Sequence, residues 1–146
     1  MWNEDAWQDN LNWDALTGPA RITSLQHVLP SLAAEVLRQL GPAHRECVYR
    51  NAMGHMLQTR GFWVTPEHVV PILMEDGFCA GYAFADLLVR DCQQQSCVVE
   101  LKISANASVS SAARLQAAKY KRQLEAVTAF VVVFSTTNDK YNVESV

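Results

Sequence analysis

Apolar residues fall into helical spacing in "LPSLAAEVLRQLG", where Leu32, Val36 and Leu40 stand at i, i+4 and i+8. Pro30 marks the neighbourhood of the predicted helix start, and Gly41-Pro42 closes the helix. A second helix is predicted over roughly residues 43 to 59, with Tyr49, Met53, Met56 and Leu57 as its inward stripe. Three strand-like runs follow: "WVTPEHVVPILM", "FCAGYAFADLLVR" and "CVVELKI". The first two are joined by the hairpin signal "EDG", the second pair by the polar "DCQQQS". Pro71 assigns the first strand to a sheet edge or a bulge.

A Ser/Ala-rich turn leads into a helix over about residues 109 to 126, and "AFVVVFS" reads as a strand buried on both faces. The helix between these last two strands is long enough for a parallel crossover. The predicted order is therefore αα, βββ, α, β, an α/β fold with helices covering a mixed sheet. Residues 1–27, rich in Trp (Trp2, Trp7, Trp13) and acids, show no clear period and read as an extension that docks on a neighbour or a protein partner. The remainder, 28–146, reads as one domain.

Within that frame two charges need explaining. Alternation puts Glu100 and Lys102 on one face of their strand and Val99 and Leu101 on the other. If the hairpin closes around Gln93 or Gln94, Asp86 falls opposite Glu100 or within a residue or two of it, with Cβ atoms roughly 5 to 8 Å apart. Facing like charges on a sheet are unfavourable, and a divalent cation with oxygen ligands compensates them. Taken alone, an E-x-K more often marks a surface ion pair on a solvated face, here of Lys102 with Glu100 or Asp86. Two further polar residues fall on apolar stripes: Glu46 three residues before Tyr49, and Gln116 among Ala113, Ala117, Tyr120, Leu124 and Val127. For each, helix capping or a bond to backbone is the simple alternative.

The chain of 146 residues carries a formal charge of −3, which argues against nucleic-acid binding by bulk charge. A local asymmetry qualifies this. Between Leu101 and Leu124 stand five basic residues, Lys102, Arg114, Lys119, Lys121 and Arg122, and no acid. They could line a phosphate path or simply form a solvated helix face. No apolar run is long enough to span a membrane and the first residues lack a signal-peptide pattern, so a soluble, cytoplasmic protein is expected. The four cysteines, Cys47, Cys79, Cys92 and Cys97, have neither disulfide nor zinc spacing and read as free, mostly buried thiols. An iron–sulfur role is disfavoured on the same grounds.

Glu on a core helix, Asp on a strand, E-x-K on the next strand and Gln on the following helix together resemble the PD-(D/E)xK phosphodiesterase superfamily, which has a restriction-endonuclease-like αβββαβ core. Within it the chain is similar to the GxxExxY group over about residues 30 to 135, through "LGPAHRECVYRNAMGHMLQTRGF", "GYAFADLLV", "CVVELKIS" and "RLQAAKYKRQL". Ala43 replaces the glycine of that signature, and Ala85 stands where a proline often precedes the Asp.

The resemblance implies that Asp86 and Glu100 hold Mg²⁺ or Mn²⁺, aided by the Leu101 backbone carbonyl and by Glu46 directly or through water. Lys102 would orient the attacking water or help deprotonate it, and Gln116 would position the lysine, the water or nearby backbone. Tyr120 would touch the nucleic acid, with Arg114, Lys119 and Lys121 on the phosphates. The expected activity is metal-dependent hydrolysis of phosphodiester bonds in DNA, with RNA left open and a homodimer able to cut both strands. The alternative is a nucleic-acid-binding or assembly module on the same fold.

Overall fold

In the computed structural model, which describes residues 20–146, a short 3₁₀ turn (Ile22–Ser24) runs into helix α1 (Leu25–Leu40). Leu25, Val28, Leu29, Leu32, Ala33, Val36 and Leu37 are buried, a full stripe at helical spacing. Pro30 lies inside this helix, five residues after its first. The expected start near Pro30 is thus corrected. An interior proline costs about 3 kcal/mol, whereas each buried aliphatic side chain returns about 1.5–3 kcal/mol. Leu25, Val28 and Leu29, all buried ahead of the proline, outweigh it.

Gly41 ends α1 with φ of 72°, donating its N–H to the Leu37 carbonyl. Helix α2 (Glu46–Thr59) follows and buries Tyr49, Met53, Met56 and Leu57, the predicted stripe. Tyr49 ties this corner together: its hydroxyl donates to the Gly41 carbonyl at 2.9 Å, and its ring stacks on Phe134 at 4.2 Å between centroids.

The strands are β1 (Trp63–Leu73), β2 (Cys79–Arg90), β3 (Ser96–Ser104), β4 (Thr128–Ser135) and β5 (Tyr141–Ser145), with helix α3 (Ser111–Gln123) between β3 and β4. They form one five-stranded mixed sheet in the order β1-β2-β3-β4-β5. All neighbours are antiparallel except β3 and β4, which are parallel and joined through α3 as expected of a crossover. β1, with Pro66 and Pro71, is an edge strand. Ser110 caps α3, its side chain accepting from the Ala113 N–H at 3.1 Å.

β5 was not foreseen from the sequence. Its five residues are exposed or half-buried, so no run of apolar positions announces it, and only pairing with β4 makes it a strand.

Two apolar layers sandwich the sheet. On one face α1 and α2 pack against Leu87, Val89, Val99, Leu101, Phe130, Val132 and Phe134. On the other, α3 packs through Ala113, Ala117 and Tyr120 against Val70, Ala85, Leu88, Val98, Val131 and Val133. Ile22 and Leu25, which precede residue 28, already belong to the core. Of the Trp-rich extension expected over residues 1–27, residues 1–19, with all three of its tryptophans, lie outside the described part. All four cysteines are free thiols, but only Cys97 is buried; Cys47 and Cys79 are half-buried and Cys92 is exposed, which corrects the expectation of mostly buried thiols. Among the described residues no helix is long and apolar enough to cross a membrane.

Candidate active site

The β2–β3 hairpin closes around Gln93, with Leu87 opposite Val99 and Arg90 opposite Ser96. Continued by one step, this register brings Asp86 opposite Glu100. The backbone ladder ends there, however: Leu87↔Val99 is its last pair, and beyond it side chains take over the bonding. The Asp86 N–H donates to Glu100 Oε1 at 3.0 Å, and the Leu101 N–H donates to Asp86 Oδ2 at 2.8 Å. Each carboxylate is therefore held by a backbone N–H of the opposite strand. Because N–H and C=O of one residue point to the same edge of an extended strand, the Leu101 carbonyl also faces the side where Asp86 stands.

A local twist accompanies this opening. Glu67 and Asp86 drop out of the β1–β2 ladder between Pro66↔Leu87 and His68↔Ala85, and Glu67 takes a φ of 50°. Ala85 and Leu87, two residues apart, then face opposite layers of the core. Strict alternation would have put both on one face. Arg50 on α2 binds the displaced Glu67 at 2.9 Å.

Glu100 is 2% exposed. Burial pushes its carboxyl up to about 8; the neighbouring Asp86 charge adds to this, and the Asp86 N–H and Lys102 oppose it. The two carboxyl groups are also in hydrogen-bond contact, which favours a proton on Glu100. A buried acid pair that keeps a proton between its members is also one whose charge a hard cation can neutralise instead. With one oxygen of each engaged by an N–H, oxygens remain on both to ligate. On this chemistry the residues fit a divalent ion. Among the described residues no group of three or more His, Cys, Asp or Glu side chains could hold a metal, so the donor set here is the pair itself with backbone and water.

Lys102 is half-buried on the same side of β3 as Glu100, since Val99 and Leu101 belong to the α1/α2 layer. The ion pairs seen among the described residues, Arg38–Glu35, Arg50–Glu67 and Arg114–Glu144, do not include it. The surface-pair alternative for E-x-K therefore has no counterpart here. Gln116 on α3 is half-buried, and its Nε2 donates to the Tyr120 hydroxyl at 3.1 Å. Burial raises the Tyr120 phenol; the bond from Gln116 opposes this, and the Glu100 and Asp86 charges reinforce it. Asp86, Glu100, Lys102, Gln116 and Tyr120 thus come together on the α3 side of the sheet.

Other expected residues stand elsewhere. Glu46 is exposed in the first turn of α2, a helix packed on the opposite layer. Its expected inward direction is corrected: the buried stripe of α2 begins at Tyr49 and does not extend back to Glu46. Tyr120 is 5% exposed and serves as floor more than as contact surface. Arg114 is engaged by both oxygens of Glu144, at 2.5 and 3.1 Å. Lys121 donates to the Val146 carbonyl at 3.3 Å. Lys119 is exposed. Sequence reading missed the two backbone N–H groups that fix the carboxylates. The signal for them is the hairpin centre at Gln93, which aligns Asp86 with Glu100.

A sequence model described as the PD-(D/E)XK nuclease superfamily matches residues 23–146. No curated protein sequence matches the chain. Among solved structures, one titled "Crystal structure of SSO0001" is similar in fold, with a TM-score of 0.53 and 15% identity over 84% of this chain. The match covers 60% of that protein's own length. The mixed sheet flanked by helices agrees with a restriction-endonuclease-like fold.

Proposed function

Since the chain belongs to the PD-(D/E)XK nuclease superfamily, whose members are mostly phosphodiesterases that typically use divalent metals, we propose that it is a metal-dependent nuclease acting on DNA. The observation that carries this reading is the reciprocal hold on Asp86 and Glu100 where the β2–β3 ladder opens. A structural acid pair needs no such gap.

In this reading Asp86, Glu100 and the Leu101 carbonyl hold Mg²⁺ or Mn²⁺. When bound, the ion supplies a Lewis acid for the phosphoryl oxygen and lowers the pKa of a bound water. The chain's own residues do the rest. The Asp86 and Leu101 N–H groups keep both carboxylates from rotating away. Lys102, without a carboxylate partner among the described residues, puts its positive charge beside the attacking water and the negative charge that gathers on phosphorus. Gln116 and Tyr120 hold the α3 side of the cleft through their mutual bond. Glu46 and Tyr49 support assignment to the GxxExxY group, with Tyr49 as a corner residue and Glu46 outside the acid pair. Lys119 and Arg122, both exposed on α3, provide phosphate contacts. A homodimer would pair two such sites for cutting both strands.

The test is cleavage of linear, circular, single-stranded and branched DNA, and of RNA, with Mg²⁺ or Mn²⁺, against chelator and Lys102→Ala. Chelator-sensitive cutting that the variant loses is the expected result. A folded wild type that cuts none of them, or a Lys102→Ala variant as active as wild type, would overturn it.

A further inference from the structure

Beside the acid pair, between α3 and the β1–β2 ribbon, runs a groove of about 240 Å³. Ile72 and Ala83 line it from the ribbon, and the buried Tyr120 lies at its base. Leu115, Lys119 and Gln123 line it from α3 and are exposed, Leu115 at 72%. Gln116, bonded to Tyr120, belongs to both groove and active site, so the two are continuous.

Its chemistry is mixed in a particular way. The groove has apolar walls from two elements, two amide side chains that both donate and accept, and one exposed ammonium. Its volume is below the roughly 300–1,000 Å³ of pockets for drug-sized ligands, leaving room for one planar ring system. The helix that lines it belongs to the stretch from Leu101 to Leu124 with five basic residues and no acid.

From this we propose that the groove holds one unstacked nucleobase of the substrate strand, next to the phosphate that is cut. The inference rests on the nuclease reading and sharpens it: the substrate is single-stranded or unpaired DNA. A base in a duplex presents its faces to its neighbours and cannot enter a groove lined on both sides by apolar groups. An extruded base can lie between Leu115 and the Ile72–Ala83 wall, as flipped bases lie between apolar side chains elsewhere. Gln123 and the free amide groups of Gln116 meet its polar edge, and Lys119 meets the adjoining phosphate.

The experiment is fluorescence anisotropy of the full chain with calcium in place of magnesium, using three probes: a short oligo-dT strand, its duplex with oligo-dA, and an equal-length strand of abasic spacers. Oligo-dT is expected to bind about tenfold tighter than either of the others. Leu115→Ala, at a surface position that the fold does not need, and Gln123→Ala should narrow the gap between dT and abasic strands. Lys119→Ala should weaken both strands alike and lower the salt slope by about 0.7.

Equal binding of dT and abasic strands, equal binding of the duplex, or no binding of any probe overturns the groove assignment. Failure of the underlying reading looks different. A protein that cuts DNA in a Lys102-dependent way without base preference keeps the nuclease and removes the groove. One that prefers bases but cuts nothing keeps the groove and removes the nuclease.

Discussion

The β2–β3 hairpin holds two buried carboxylates, Glu100 on β3 and Asp91 just past the end of β2, and the two are treated in opposite ways. Asp91, at the hairpin turn, is 1% exposed and accepts three backbone N–H bonds, from Ile22 at 2.9 Å, Gln93 at 2.9 Å and Gln95 at 3.1 Å. Burial works to raise its carboxyl, but those donors and the Arg21 charge outweigh it, and the net direction is downward. Glu100, opposite Asp86, is equally shut off from water but set deeper in the protein, and it has one backbone donor and a second acid beside it. Its carboxyl rises to about 8. Burial alone therefore does not decide what an acid is for. A full set of donors makes a fixed anion that fastens the chain entering α1 to the β2–β3 turn. A partial set leaves an anion in need of a cation or a proton.

The sharpest break between the two sites is expected in activity. Lys102→Ala or Asp86→Ala should lower cleavage by about a thousandfold while circular dichroism stays that of the wild type. Asp91→Asn should leave cleavage per folded molecule near wild type. If Asp91→Asn abolished cutting in a folded protein, the contrast drawn between the sites would be wrong.

Stability should respond the other way. Asp91→Ala strands three donors and should cost about 3 kcal/mol in urea unfolding. Glu100→Gln in chelator keeps the shape, removes the buried charge and should not destabilise at pH 8. Metal distinguishes them further. At a hundredfold excess over its Kd, Mn²⁺ should stabilise the wild type by about 2.7 kcal/mol and leave Asp86→Ala unmoved in a thermal scan. A wild type indifferent to both Mg²⁺ and Mn²⁺ would contradict the assigned ligands.

The pH profile in chelator follows from the two directions. Glu100, raised from 4.5 to about 8, contributes stability that is full below 4.5 and lost as pH rises through about 8. Asp91, lowered from 3.8, contributes stability that is present above 3.8 and lost as pH falls through its lower folded value. Glu100→Gln should flatten the alkaline side of the profile, and Asp91→Asn the acid side. The smallest effect is expected from Tyr120→Phe, which removes one hydroxyl bonded to Gln116 and should cost about 1 kcal/mol.

Much of the frame was legible in the residues. The stripe through Tyr49, Met53, Met56 and Leu57 became the buried side of α2, and the apolar run after residue 128 became a strand buried on both faces. Alternation correctly put Glu100 and Lys102 together and away from Val99 and Leu101. Glu46 shows where such reading stops. Helical spacing assigns it to the inward stripe, but in the first turn of α2 it is exposed. Asp91 shows the reverse: as a polar residue in a polar turn it looked ordinary, and its burial depends on Ile22, far away in the chain.

By itself, then, the sequence determined the element order up to β4, the helix length that a parallel crossover needs, and the approach of Asp86 to within a residue or two of Glu100, because period and turn position are local properties of the chain. The tertiary structure alone decided that the ladder stops at Leu87↔Val99, that Glu100 is sealed from water while Glu46 is not, and that α1 runs through Pro30. Those outcomes depend on which distant surfaces pack together, since burial and the supply of hydrogen-bond donors belong to the assembled fold rather than to any stretch of it.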